Sequence, residues 1–258
     1  MSLDNFIRNT AYQYEQVGKA GLNLQYPREV ELYIVALELV NGKGETLKYF
    51  IFPVMPSTME EDSVFTSTIK KTMGGVTALS TPAFIPIDLA IAGTFGRKFR
   101  ILLGDSFTDI VSSIRNTSSL KDLTSKIDEL NIKAKTGYGC TKILEDICNE
   151  SVGVDADGPH RLYFYNLATG NNYLVKVMSL KQSMSQESNM IWNYNLRMKA
   201  IAPLDLILGQ KALSKKRQQL IITGFAQTKT NKIVGDLSRI VNSKGDNIIN
   251  KLRDAARI

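Results

Sequence analysis

The single histidine, His160, is the side chain best suited to acid–base or metal chemistry. It follows Gly158 and Pro159 at the start of a predicted strand. A zinc site needs three or four His, Cys or carboxylate ligands at defined spacings, and the sequence around His160 lacks them. A Ser-His-Asp triad through His160 stays open at this level, because sequence alone does not show which side chains meet. We predict no metal, no cofactor and no catalytic residue.

Cys140 and Cys148 are the two cysteines, and they lie eight residues apart in a segment with a helical pattern. At a rise of about 1.5 Å per residue this separation spans about 12 Å, which is too far for a disulfide. We therefore expect both side chains to be reduced, half-buried thiols without a metal or redox role.

Two loops are only loosely similar to ion or phosphate sites. Asp155 and Asp157 are carboxylates on a turn-rich loop that could bind Ca²⁺, but the EF-hand pattern with its closing Glu is missing. The stretch from Gly93 to Lys98 lacks the spacing and the Lys-Ser or Lys-Thr ending of a phosphate loop. We predict a solvated loop at the first place and a structural turn, ending at Gly96, at the second.

The stretch from Leu162 to Pro203 predicts the β-sheet scaffold of the protein. Strands at 162–168 and 173–180 flank a Gly-Asn-Asn turn of the kind that hairpins use. After a predicted polar loop at 181–189, residues 190–202 alternate between apolar and mostly polar side chains, which is typical of a strand with one buried face. The predicted buried face is Met190, Trp192, Tyr194, Leu196, Met198, Ala200 and Ala202, and the opposite face includes Asn193, Asn195, Arg197 and Lys199.

Further strands are predicted upstream. Residues 29–40 are apolar on both faces, which indicates a central strand or one covered by a second layer. A turn at 41–44 leads into a returning strand at 46–52. The remaining predicted strands are 62–72, as an exposed β-arm that ends at Gly75, then 83–92 and 99–103.

Helical patterns appear in two places. Residues 105–151 predict a helical insertion whose third helix covers 141–148, and the chain becomes helical again after Pro203. We predict an α+β fold with three parts: an N-terminal arm (1–28), a β domain (29–208) with the helical insertion at about 105–151, and a basic helical C-terminal extension (209–258).

The positive charge is concentrated in this extension. Residues 209–258 contain eleven Lys or Arg and three Asp, a net charge of +8, whereas the rest of the chain has 21 basic and 22 acidic residues, a net charge of −1. Short helices are marginal alone, so the apolar stripes of the extension need a packing partner. We expect Leu237, Ile240 and Leu252 to dock on that partner, and we prefer an acidic neighbour to the protein's own near-neutral body.

Several short motifs occur in a characteristic order. Residues 52–59 (FPVMPSTM) precede a Thr-rich arm that ends at Gly75, and an apolar strand then closes at Gly93 to Gly96. Later, the strands at 162–168 and 173–180 lead to the alternating strand that ends at Pro203. Over about residues 30–203 this order resembles the tail-tube-related baseplate proteins of tailed bacteriophages and contractile injection systems. It is most similar to the distal tail and tube-initiator class.

The resemblance implies a tube-like antiparallel β-sandwich or barrel that forms a ring, expected to be hexameric. Such a ring continues or initiates the tail tube and docks neighbouring tail or baseplate proteins. It implies a structural virion component, made in the bacterial host cytoplasm, without enzyme activity. DNA contact is then limited to passage through the lumen. The lumen-facing candidates are Asn193, Asn195, Arg197 and Lys199, and the subunit-interface candidates are Phe65, Thr66, Thr68 and Ile69.

Other classes of function stay open. The basic extension also fits a nucleic-acid-binding protein, although Phe225 is its single aromatic residue for base stacking. A cell-wall hydrolase of the baseplate would need a carboxylate pair or a metal site that we do not find in the sequence. A membrane-surface helix would need wider apolar stripes with Trp, and there is no apolar run of about 18 residues that predicts a membrane span. An ordinary β-sandwich with polar outer faces is the remaining alternative.

Overall fold

The fold is built mainly from β-strands, and a computed structural model describes it for residues 19, 22–23, 25–63, 67–72, 75–80, 84–98, 100–103, 132–184, 191–228 and 231. The strands are β1 (Val35–Val40), β2 (Thr46–Ile51), β3 (Thr58–Asp62), β4 (Ser67–Thr72), β5 (Gly75–Ser80), β6 (Ile87–Thr94), β7 (Arg100–Leu103), β8 (Ile132–Lys135), β9 (Val154–Asp155), β10 (Gly158–Pro159), β11 (Arg161–Asn166), β12 (Asn171–Met184) and β13 (Trp192–Pro203). The helices are α1 (Gly137–Glu150), α2 (Leu204–Leu208) and α3 (residues 210–228).

Seven strands form one antiparallel sheet in the order β2-β1-β11-β12-β13-β6-β3. The strands β11, β12 and β13 follow one another in the chain and are neighbours in the sheet, so the predicted central meander is confirmed. The predicted hairpin between β1 and β2 is confirmed as well, and Gly44 takes the positive φ of 91° that its turn requires. A large antiparallel sheet with few helices agrees with the α+β prediction.

Strand β1 is buried on both faces, because it lies between two hydrophobic cores. Val35, Leu37 and Leu39 point into the first core, whereas Ala36 and Val40 point into the second. Successive side chains of a strand alternate between the two sides of the sheet, so an apolar run of this kind fills both layers. The prediction of a strand covered on both faces is confirmed.

The sheet curls strongly around the first core. In the sheet order β2 and β6 are five strand spacings apart, which is about 24 Å in a flat sheet. The ring centroids of Phe50, on β2, and Phe95, directly after β6, nevertheless lie 5.8 Å apart, and those of Phe52 and Tyr194 lie 6.0 Å apart. Distant strands of the sheet therefore meet across the core. Helix α1 packs its buried side chains into the same core.

Glu61, on the edge strand β3, forms hydrogen bonds to distant strands of the curled sheet. Its carboxylate accepts hydrogen bonds from Asn166 Nδ2 (3.2 Å), Thr169 Oγ1 (3.3 Å) and Asn171 Nδ2 (2.8 Å). These donors lie in the turn between β11 and β12 or at the adjoining strand ends, and these two strands are four and three positions away from β3 in the sheet. The contact is possible only because the sheet bends back on itself.

The second core lies on the opposite face of the sheet, under helix α3. Leu213, Leu220 and Ile221 of α3 are buried there against Tyr163 and Tyr165 of β11. Helix α3 therefore forms part of the folded body and covers the sheet beside β1 and β11.

Several predicted boundaries of the main sheet were wrong. The strand predicted at 83–92 begins at Ile87, as β6, because Pro86 before it cannot donate to the ladder. The strand predicted at 29–40 begins at Val35, because the backbone bends before it, with Ile34 N donating to Leu32 O over 2.7 Å. The loop predicted at 181–189 is wrong for residues 181–184, since β12 continues to Met184. There Lys181 lies opposite Asn195, and pairing with β13 outweighs the polar composition of the segment.

The peripheral elements also differ from the prediction. The single arm predicted at 62–72 consists of two separate strands, since β3 ends at Asp62 and β4 begins at Ser67 and pairs with β5, which was not predicted. The insertion predicted as helical contains strand β8, which pairs with β7. The helices predicted within 105–131 lie outside the described residues. The third predicted helix is confirmed and longer, as α1, which Thr136 caps by accepting a hydrogen bond from Gly139 N at 3.2 Å.

Candidate lumen face and packing surfaces

His160 holds a loop against the end of helix α1. Its Nε2 lies 2.6 Å from Asp155 Oδ2, and its Nδ1 lies 2.8 Å from the carbonyl oxygen of Glu150. Both partners are acceptors, so each ring nitrogen faces an oxygen to which a protonated imidazole can donate. The hydrogen bond to Asp155, followed by that to the Glu150 carbonyl, raises the pKa of His160. A general base needs a nitrogen that is free to accept a proton, so this arrangement is structural and does not support a triad.

The two thiols are free and lie in the first core. Burial raises the pKa of Cys140 to about 11 and that of Cys148 to about 12, so both stay protonated at neutral pH. They are more deeply buried than the half-buried thiols we expected, with 0% and 5% exposure. Within the part of the chain that the structure describes, no group of three or more His, Cys, Asp or Glu is placed to hold a metal ion.

The two loops with a loose similarity to ligand sites have structural contacts. Asp155 bonds to His160, whereas Asp157 pairs with Lys43 at 2.7 Å, so the two carboxylates have different partners. In the other loop Phe95 is buried, and Gly96 takes a φ of 71° in the turn after β6. Gly96 also lies so close to α1 that a Cβ on Gly137 would come within 1.7 Å of its carbonyl oxygen.

The predicted polar face of β13 is found on the side of the sheet opposite the first core. Tyr194, Leu196, Met198 and Ala200 are buried in that core, which confirms the predicted alternation over residues 194–200. Of the other predicted core residues, Trp192 and Ala202 are only half-buried, and Met190 lies outside the described residues. The four lumen-facing candidates alternate with these residues along the strand. Arg197 is exposed and the other three are half-buried. We call the four candidates, with the side chains beside them on the same side of β6 and β12, the open face: Asn193, Asn195, Arg197, Lys199, Asp88, Ala90, Ala92, Thr94, Lys176, Ser179, Lys181 and Ser183.

The register of the strands explains why these side chains share one surface. Residues directly opposite each other in an antiparallel pair project to the same side of the sheet. Arg197 lies opposite Ala90, and Lys199 lies opposite Asp88, with its Nζ 3.4 Å from Asp88 Oδ1. Lys181 lies opposite Asn195 on the other flank. The open face is therefore a wet surface of amides and paired or exposed charges across three neighbouring strands.

The interface candidates are only partly described. Thr68 and Ile69 lie in β4, opposite Leu79 and Ala78 of β5, in a two-stranded hairpin. Phe65 and Thr66 lie outside the described residues, as do the docking candidates Leu237, Ile240 and Leu252. Their roles therefore stay predictions.

The first part of the basic extension packs on the protein's own body. Lys216 Nζ donates to the carboxylate of Glu38, which is buried in β1 with a side-chain exposure of 4%. Tyr165 OH and Thr46 Oγ1 donate to the same carboxylate, each at 2.5 Å. Burial, reinforced by Glu38, raises the pKa of Tyr165 well above its usual range. The preference for a neighbouring protein as partner was therefore wrong for residues 210–228.

Sequence reasoning missed this buried polar cluster, although one signal pointed to it. Glu38 is the single acid in the apolar strand β1 (VALELV). A carboxylate at such a position needs a cation or several hydrogen-bond donors, because burying an uncompensated charge is costly. The sequence gives no way to choose Lys216 among the many basic residues of the extension.

No family model matches the sequence, and no curated protein is similar to it. Among solved structures, the chain is similar to one in a virion of a native gene transfer agent particle, at 11% identity and a TM-score of 0.29, covering 65% of this chain and 91% of that one. It is also similar to a chain in a cryo-EM structure of an extracellular contractile injection system, the PVC sheath-tube complex in the extended state, at 9% identity and a TM-score of 0.28, covering 69% and 93%. At these TM-scores neither likeness assigns a fold or a function.

No described helix combines the length and the apolar character that a membrane span requires.

Proposed function

We propose that this protein is a structural virion component of a phage-like tail or baseplate, which forms a ring with further copies of itself and docks neighbouring tail proteins. In this proposal the ring, expected to be hexameric, continues or initiates the tail tube, and the protein has no enzyme activity. The observation that carries the proposal is the open face, because it is a broad polar surface in the middle of the sheet.

A water-filled channel needs a wall of this kind. The sheet presents apolar side chains to the first core and, on the same strands, amides and charges to the other side. Arg197 and Lys199 lie near the centre of that side and Asp88 lies beside them. The amides between the charges bind water, as the wall of a water-filled channel requires.

The edge of the sheet supports ring formation. Strand β3 ends the sheet, and its described neighbour is β6 alone. An edge strand presents backbone donors and acceptors that can pair with a strand of another subunit. Its exposed side chains include Glu60 and Asp62, which suit a basic partner edge. Repetition of one such head-to-tail contact around an axis closes a ring.

The hairpin β4–β5 supports a further contact between subunits. Its two strands form a sheet of their own, paired only with each other among the described strands. An isolated two-stranded hairpin is at best marginally stable in water. We infer that the arm with Phe65, Thr66, Thr68 and Ile69 is stabilised by a neighbouring subunit.

Electron microscopy of the purified protein, alone and mixed with candidate tail proteins from the same source, tests the proposal. We expect rings with a central opening. Glu60→Lys should weaken ring formation because it reverses a charge on the edge strand, whereas Asp146→Lys makes the same kind of charge reversal on the exposed side of α1 and, as a matched control, should leave ring formation intact. A protein that stays monomeric in every mixture, or that binds DNA through residues 229–258 without forming rings, would overturn the proposal.

A further inference from the structure

A cleft of about 630 Å³ lies between the start of α3 and the turn that joins β11 to β12. Gln210, Ser214 and Arg217 line it from one side of α3, as residues four and three positions apart on a helix share a face. Asn171 and Asn172 line it from the start of β12, directly after the turn. Neither the open face nor the edge strand β3 forms part of this cleft, so the function proposed above does not account for it.

Arg217 places a poorly compensated positive charge in the wall of this cleft. The residue is only 6% exposed, and its Nη2 donates to the backbone and side-chain oxygens of Asn23 at 3.1 and 2.6 Å. Its Nε has no hydrogen-bond partner among the described residues, and none of the ion pairs described includes Arg217. A buried cation that is bonded only to neutral groups leaves a charge that an anion can balance.

Two further positive features converge on the same cleft. The backbone hydrogen bonds of α3 begin with Leu213 N donating to Gly209 O at 3.1 Å, so the N–H groups of residues 210–212 have no partner within the helix. Such a helix end favours negative charge. Arg28, which is exposed, lines the cleft on the opposite side.

The lining favours a peptide over a bare inorganic anion. Asn172 Oδ1 is buried and has no hydrogen-bond donor among the described residues. A ligand that has both an N–H and a carboxylate could donate to this oxygen and also pair with Arg217. Phe84 and Tyr173, with ring centroids 6.1 Å apart, offer an apolar wall for side-chain methylenes. Asp205, exposed and also lining the cleft, can accept a hydrogen bond from a peptide N–H, which a bare inorganic anion lacks.

We propose that this cleft is a docking site for an acidic extended segment of a neighbouring tail protein. The identity of the partner as a tail protein rests on the proposed function, whereas the preference for acidic peptide rests on the cleft itself. Arg217 and the start of α3 bind the carboxylates, and Arg28 closes over the segment from the other wall.

Isothermal titration calorimetry of the full chain tests the site, with a capped penta-glutamate peptide as the probe. Capped penta-glutamine and inorganic phosphate are the comparison ligands. The variants are Arg28→Glu, in the cleft, and Lys215→Glu, which makes the same charge change on an exposed residue of α3 outside the cleft. Ser214→Trp blocks the cleft sterically without a change in charge.

We expect penta-glutamate to bind the wild type, and Arg28→Glu and Ser214→Trp to weaken it at least about tenfold, while Lys215→Glu changes the affinity less than about twofold. No binding, an equal loss in Lys215→Glu, or phosphate binding as tightly as the peptide overturns the proposal. Electron microscopy of the same variants separates the two ideas. If the wild type forms rings but does not bind the peptide, the site is refuted and the proposed function stands. If the peptide binds in the cleft but no rings form, the site stands and the proposed function is refuted.

Discussion

Replacement of Lys216 by methionine tests whether the buried ion pair with Glu38 holds helix α3 on the sheet. Glu38 has a side-chain exposure of 4% and Lys216 one of 27%. Removal of one partner from a fully buried pair costs about 3–5 kcal/mol, since the other charge is left uncompensated. Here Lys216 is partly solvated, and the hydroxyl groups of Tyr165 and Thr46 still donate to the carboxylate. We therefore expect a loss of about 2 kcal/mol in the free energy of unfolding.

Chemical and thermal denaturation measure this loss. In a protein of this size about 1 kcal/mol corresponds to roughly 2–4 °C in Tm, so Lys216→Met should lower the Tm by roughly 4–8 °C. Lys215→Met, on an exposed neighbouring residue, is the matched control and should change stability by less than about 0.5 kcal/mol. In a double-mutant cycle with Glu38→Gln, the coupling energy should be about 1 kcal/mol or more. Equal stabilities of Lys216→Met and Lys215→Met would refute the reasoning.

The remaining predictions concern packing, protonation and thiol reactivity. Leu220→Ala should destabilise the protein by about 2–5 kcal/mol, because Leu220 is fully buried in the second core. Ile222→Ala, at an exposed site of the same helix, should cost much less in the free energy of unfolding measured with urea. Similar losses in the two variants would show that α3 does not pack as described. The raised pKa of His160 stabilises the fold below the unfolded value of about 6.5, and this contribution is lost as pH rises through the folded pKa. Asp155→Asn should therefore lower the Tm more at pH 5.5 than at pH 8.5, and a pH-independent difference would contradict the ion pair. Finally, both thiols of α1 should resist alkylation at pH 8 in the native state and react readily in denaturant, because burial raises their pKa values. Mass spectrometry counts the alkylated thiols, and rapid alkylation of the native protein would contradict their burial.

Strands with a strict two-residue period were predictable from the sequence. The alternation along β13 places Leu196 in the first core and Arg197 on the open face, and a shift of one residue would exchange the two sets. The double-sided burial of β1 was predictable for the same reason, as both of its faces are apolar. Local periodicity determines which face of a strand is buried, provided that a core covers it.

Features that depend on distant contacts could not be predicted in this way. Strand β12 extends through the polar residues 181–184 because β13 pairs with it over that length. Strand β5 was missed because Gly75 was interpreted as the end of an arm and not as the start of the returning strand of a hairpin.

The packing partner of the extension could not be predicted from net charge either. The overall charges of the body and the extension favoured a separate acidic partner. A single carboxylate, Glu38, determines the actual contact of Lys216, because a buried charge interacts strongly with its immediate neighbours and net charge says little about them. Net charge describes long-range attraction and solubility, whereas burial of individual groups follows from the fold.

A single-particle cryo-EM reconstruction of the assembled protein tests the central claim most directly. We expect a closed ring in which Asn193, Asn195, Arg197 and Lys199 of every subunit face a central channel, with helix α3 packed on its own subunit. A ring in which these four side chains face the outside, or an assembly without a channel, would contradict it.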